Sequence, residues 1–210
     1  MISSLSRFKT TFETEVQQRL VLNSDTSLVR DEDLAHLPEP VRNYLRYAGA
    51  VGKPKVHNVR VAGTGSMKRS FESNWIEIST RQYNFFDDLA RIYYIRTSLF
   101  GIPFDGLHAY LGGSDSMKIN VAYFFPVVHA KGEKMNQSEN VTLFNDMCLL
   151  APGTLVDPAI QWEPVDARTA KARFTHAAQT ISATLFFDDE GLLKDFVSDD
   201  RFASTDGKQY

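Results

Sequence analysis

The 210-residue chain is 43% hydrophobic and 12% aromatic, which supplies enough apolar material for a packed core and excludes disorder along its whole length. Its formal net charge is -3 and its pI about 6.0, so it lacks the positive field that would hold a phosphate backbone, and nucleic acid is excluded as its main partner. Cys148 is the single cysteine, which rules out an intrachain disulfide and fits a reducing compartment.

At the N-terminus, Leu5, Phe8, Phe12, Val16 and Leu20 recur at near-helical spacing and predict an amphipathic helix over residues 3–21. Lys9, Glu13 and Glu15 fall where a signal peptide needs its apolar stretch. No later run approaches about 18 uninterrupted apolar residues. These features point to a soluble, cytoplasmic protein without stable membrane insertion. A short helical turn is expected at residues 31–37. A second helix then starts at Pro38-Glu39-Pro40, with Val41, Tyr44, Leu45 and Ala48 as its inward face and Gly49 as its stop.

From Lys55 the period changes to two. Val59, Val61, Gly63, Gly65 and Met67 point one way and the residues between them the other. Further strands are expected at residues 75–85, 91–97, 104–111 and 117–121, with short polar turns such as Asp87-Asp88 between them. Neighbouring strands with short turns describe an antiparallel meander and not βαβ units. A strongly apolar helix follows at residues 137–151, with Asn136 and Glu139 spaced as a capping box. Strands return at residues 169–175, 180–187 and 192–202, the last two joined by the turn Asp188-Asp189-Glu190-Gly191.

The five histidines have no metal-ligand spacing, and no phosphate-binding, dinucleotide or nucleophile-elbow motif occurs. No metal and no cofactor is therefore expected. Cys148 lies in an apolar helix without an adjacent cation and reads as an inert buried thiol. The polar residues of that helix are more informative. Asn145 and Asp146 sit between the stripes carrying Phe144 and Met147, and a buried carboxylate needs a partner. Arg201, Arg60 and Arg173 are the candidates. With Trp162, Glu163 and Asp200 these residues define either a polar cluster at a ligand cavity or a structural tie between helix and sheet. A hydrolytic pair of carboxylates among Asp146, Glu163 and Asp200 is a further alternative.

The blocks LPEPVRNYLRYAG (37–49), SENVTLFNDMCLLAPGTLVDPAIQWEPVD (138–166) and FFDDEGLLKDFVSDDRF (186–202) resemble an uncharacterised bacterial domain-of-unknown-function family. The matching positions are Pro40, Arg42, Tyr44 and Leu45; Ser138, Glu139, Val141, Thr142, Asn145, Asp146 and Met147; Trp162, Glu163 and Asp166; and Ser198, Asp200, Arg201 and Phe202. Phe144 stands where the helix motif often has leucine or tyrosine. Family members usually continue with further strands beyond the last block, whereas this chain stops at residues 205–210, so it is expected to be either a naturally short version or a truncated form, and a truncated sheet would expose an edge strand that could serve a homodimer or open the cavity. The fold implied by the resemblance is similar to the half-barrel of lipoprotein carriers, a scaffold that commonly shelters acyl chains.

The resulting expectation is one α+β domain over residues 1–210. It has a helical N-terminal segment (1–50), then a large curved antiparallel sheet, a half-barrel, with one internal helix (55–210). The expected function is binding of a lipid-like, hydrophobic or amphipathic small molecule between helix and sheet, in preference to catalysis. Phe144, Met147, Asn145, Asp146, Trp162, Glu163, Asp200, Arg201 and Arg60 are the candidate ligand contacts, and Phe100, Phe104, Tyr123, Phe124, Phe125, Phe174, Phe186 and Phe187 are the expected apolar walls. A hydrolase using the acidic cluster and an interaction domain without a ligand are the alternatives.

Overall fold

A computed structural model describes residues 6–20, 25–68 and 70–202. The described residues divide into two compact units, one built from residues 6–20, 58–68 and 70–132 and the other from residues 25–57 and 133–202.

In the first unit, helix α1 (Arg7–Leu20) precedes six strands: β1 (Asn58–Met67), β2 (Ile76–Phe85), β3 (Ala90–Leu99), β4 (Ile102–Leu111), β5 (Ser114–Val121) and β6 (Phe125–Ala130). They form one antiparallel sheet in the order of the sequence, so every connection is a hairpin. Strand alternation gives the sheet two different faces. On one, Phe85, Ala90, Ile92, Tyr94, Leu107 and Ala109 form a core with Phe12 and Val16 of α1. Phe8, Phe12 and Val16 of the apolar stripe read from the N-terminal sequence are thus the packing face of α1, whereas Leu20 is exposed and Leu5 lies outside the described residues. Ser6 caps the helix, its Oγ accepting from Lys9 N at 3.0 Å. The same hydroxyl donates to Asp105 Oδ2 of β4 and accepts from Tyr94 Oη at 3.4 Å.

In the second unit, a 3-10 turn (Asp31–Leu34) leads into α2 (Glu39–Tyr47), with Pro40 in its first turn. The helix ends where expected. Gly49 takes φ +68°, and Ala50 N reaches back to Leu45 O at 3.0 Å. After α3 (Glu133–Leu150) and a 3-10 turn (Pro152–Val156), four strands follow: β7 (Ile160–Asp166), β8 (Thr169–His176), β9 (Gln179–Phe187) and β10 (Leu193–Val197). They make a second antiparallel sheet in the order β10-β9-β8-β7, and α3 packs on β8 and β9. Tyr44 of α2 donates from its hydroxyl to Cys148 O at 2.6 Å, and its ring meets Phe187 at 5.7 Å. Burial pushes the Tyr44 hydroxyl up to about 12. It raises the Cys148 thiol as well, consistent with an inert buried side chain.

The class is α+β as expected, with the strands divided between a six-stranded and a four-stranded sheet, neither closed into a barrel. Two strands, β6 and β7, were not anticipated from the sequence. Both contain a proline, Pro126 and Pro164, and both lie at the edge of their sheet, where a missing N–H leaves no inner ladder broken. Helix α3 starts at Glu133, so Asn136 and Glu139 lie inside it and form no capping box. Strand β10 stops at Val197, earlier than expected. The proposed N-terminal helix extends to residues 3–5 and 21, which lie outside the described residues.

Candidate functional site

Of the residues singled out beside α3, the apolar ones pack together, while most of the charged ones are exposed. The Phe144 ring is fully buried. It stacks on Phe174 with centroids 5.4 Å apart and meets Trp162 at 6.2 Å and Phe196 at 5.7 Å. Met147 is also buried, and Trp162 Nε1 donates to Leu155 O at 3.3 Å. Asn145 and Asp146 are only half-buried, and Asp146 is engaged in an interaction of its own. The fully buried polar residues of α3 are Glu139 and Asn140, over a turn earlier, and Asn140 Nδ2 donates to His176 O at 3.4 Å. Glu163, Arg173 and Arg201 are exposed, and Arg60 is an exposed residue of β1 in the other unit.

Asp200 has a clear local role. Its Oδ2 accepts from Ser182 N at 2.6 Å, and Ser198 Oγ donates to Ser182 O at 2.7 Å. Two side chains thereby satisfy the backbone of β9 where β10 has ended, which is why the strand pattern of the sequence outlasts the strand. Gln137 Nε2 of α3 also donates to Asp200 Oδ1 at 3.3 Å, and Phe202 N donates to Ser138 Oγ at 3.0 Å. The S-x-D-R-aromatic segment is therefore tied to the start of the S-E-x-V-T block within one unit.

A cavity lies elsewhere, on the face of the six-stranded sheet opposite α1. Its volume is about 480 Å³. Ile95, Gly106 and Ile119 face one another across β3, β4 and β5 and make its floor. Met67, Ile76, Thr97, Leu99, Phe104, Val127 and Val128 make its walls. Gly106 is the reason for the depression. A Cβ there would stand 3.0 Å from Ile95 Cγ2 and 3.6 Å from Ile119 Cγ1, filling the space between the two side chains. Of the aromatics expected to form walls, Phe104 lines this cavity, Phe174 and Phe187 belong to the core of the other unit, and Phe100, Phe124 and Phe125 are exposed residues outside the lining.

Along the same face the chemistry changes. One pair of residues further along each strand come Tyr93 and His108, and then Arg91, Tyr110 and Asp115. A two-residue step along a strand is about 7 Å. Gln82 and Asn84 of β2 complete this polar end. Arg91 Nη2 donates to Gln82 Oε1 at 3.0 Å and Gln82 Nε2 to Asn84 Oδ1 at 2.9 Å. His108 Nε2 lies 2.8 Å from Asp115 Oδ2. One sheet face thus grades from an apolar depression to a hydrogen-bonded polar field. Sequence reasoning had five of the six strands of this sheet, missing β6 with its wall residues Val127 and Val128, and did not have its site. The available signal was Gly106, a glycine inside a strand.

Among the described residues, no helix is long and apolar enough to cross a membrane. No curated protein and no solved structure matches the chain. Residues 27–210, which include the six-stranded sheet with its cavity and the whole of the α3 and Ser198–Phe202 blocks, match one family across their full extent, and the chain accordingly belongs to the family of unknown function DUF6544.

Proposed function

We propose that the protein binds a hydrophobic or amphipathic small molecule, lipid-like in character, on the cavity face of the six-stranded sheet. The observation that carries this reading is the cavity of about 480 Å³ with an aliphatic and aromatic lining. Ligand sites have about this size and this apolar character, with polar groups placed to one side. An acyl or other hydrocarbon portion occupies the depression over Gly106. A polar head group is directed along the strands toward Tyr93 and His108. The ligand site expected beside α3 moves to the other unit in this reading, because Phe144 and its aromatic neighbours already occupy each other's space.

A fluorescent fatty-acid analogue tests it. Saturable uptake by the purified protein is expected, and Ile119→Trp, which fills the floor of the cavity, should weaken uptake at least about tenfold. Absence of saturable uptake, or uptake that Ile119→Trp leaves unchanged in a folded variant, would overturn the reading.

A further inference from the structure

The connections of a meander alternate between the two ends of the sheet. The β1–β2, β3–β4 and β5–β6 hairpins therefore share one end. Each of these three tips carries a large side chain in solvent: Phe71 is 90% exposed and Trp75 65% in the first, Phe100 95% in the second, and Phe124 56% in the third. The opposite end is different. Its β2–β3 turn buries Phe85 and Phe86 and presents Asp87 and Asp88.

The aromatic tips do not arise from the needs of folding. Phe100 has φ +52°, a left-handed conformation that costs a non-glycine residue about 1 kcal/mol or more. Its ring recovers almost no burial in return. Ala122 and Tyr123 hold positive φ in the third tip as well, turning the chain so that Phe124 projects. Lys68 Nζ lies 5.7 Å from the Phe71 ring centroid and 5.4 Å from that of Trp75, which places a cation among the rings of the first tip.

The cavity lies at this same end. Met67 closes β1, Ile76 opens β2 and Leu99 closes β3, and all three are wall residues adjoining the tips. We propose that the three hairpin tips dock the protein on a lipid bilayer surface, inserting Phe71, Trp75, Phe100 and Phe124 into the interfacial layer and turning the mouth of the cavity toward the membrane. The exposed aromatics stand on three separate hairpins, so a rigid protein partner would need to match each of them, whereas the head-group region yields to all of them. Exposed Trp and Phe flanked by a cation are the composition that this layer accepts. Docking rests on the cavity reading only for what is exchanged at the membrane, and the two fail separately.

The test uses the full chain with vesicles of phosphatidylcholine, alone or mixed with phosphatidylglycerol. Co-sedimentation of the wild-type protein is expected. Trp75 and Trp162 are the two tryptophans. In Trp162→Phe, the Trp75 emission should move to shorter wavelength on vesicle addition and be quenched by bromine-labelled acyl chains. The triple variant Phe71→Ser, Phe100→Ser, Phe124→Ser should lose vesicle partitioning by at least about tenfold. It should retain its melting temperature and its uptake of the fatty-acid analogue in the absence of vesicles. No vesicle binding by the wild type, a Trp75 signal indifferent to bromine-labelled chains, or equal partitioning of the triple variant would each overturn docking, whatever the outcome of the uptake assay.

Discussion

At the scale of single residues, the two units show opposite solutions to burying unusual groups. Phe144 is a large ring held on three sides by other rings, and its removal leaves a hole that the strands behind it cannot close. Phe144→Ala should cost about 4 kcal/mol, read as a lowered denaturant midpoint. Asp105 is the reverse case, a carboxyl group 2% exposed whose Oδ1 has no hydrogen-bond partner among the described residues. Burial raises its pKa above the ordinary 3.8, with the Ser6 hydroxyl and Arg96 opposing that shift. The folded state therefore holds the proton more tightly than the unfolded chain. The resulting penalty is absent below 3.8 and grows as pH rises through the raised value. Asp105→Asn keeps an acceptor for Ser6 Oγ and removes the charge. It should stabilise the protein at neutral pH, with the gain vanishing in acid, and urea unfolding at the two pH values checks this.

At the scale of elements, what the sequence revealed depended on whether local pattern and final environment agreed. Helix α2 was legible because Pro40, the apolar spacing and Gly49 all act within the helix itself. The strands β1 to β5 were legible through alternation, and the β9–β10 turn through its acidic-Gly signal. Gly191 there has φ +88°, and a Cβ on it would meet the Asn43 backbone at 3.2 Å. Gly191→Ala should destabilise by at least about 1 kcal/mol through conformation alone, and the melting temperature reads it. Strands β6 and β7 were hidden because proline argues against a strand unless its edge position is known, which is a tertiary fact. The site was hidden for a related reason. Nothing local to Gly106 says that Ile95 and Ile119, from neighbouring strands, stand on either side of it. The emphasis on Asn145 and Asp146 came from helix position alone, whereas the buried polar residues of α3, Glu139 and Asn140, are set by what packs against the helix.

At the scale of the molecule, the two sheets are used differently. The four-stranded sheet packs against α3, with Phe144, Trp162 and Asp200 among the residues that hold that arrangement together. The six-stranded sheet spends one face on α1 and leaves a depression in the other. A ligand and a membrane surface would engage the same unit through adjoining parts. Uptake and docking are thus expected to respond to different substitutions, Ile119→Trp for the first and the Phe71, Phe100 and Phe124 changes for the second.

The order of the chain adds a consequence for synthesis. Helix α1 belongs to the first unit, yet the chain then contributes residues 25–57 to the second before returning with β1. Phe12 and Val16 must wait for Ile92 and Leu107, whole elements later, before their apolar stripe is covered. The meander between them closes by short hairpins, each inexpensive in chain entropy, whereas seating α1 closes a long loop. The sheet is therefore expected to form first and α1 to settle on it last. Phe12→Ala should then speed unfolding and leave the refolding rate nearly unchanged, a split that stopped-flow chevrons would display.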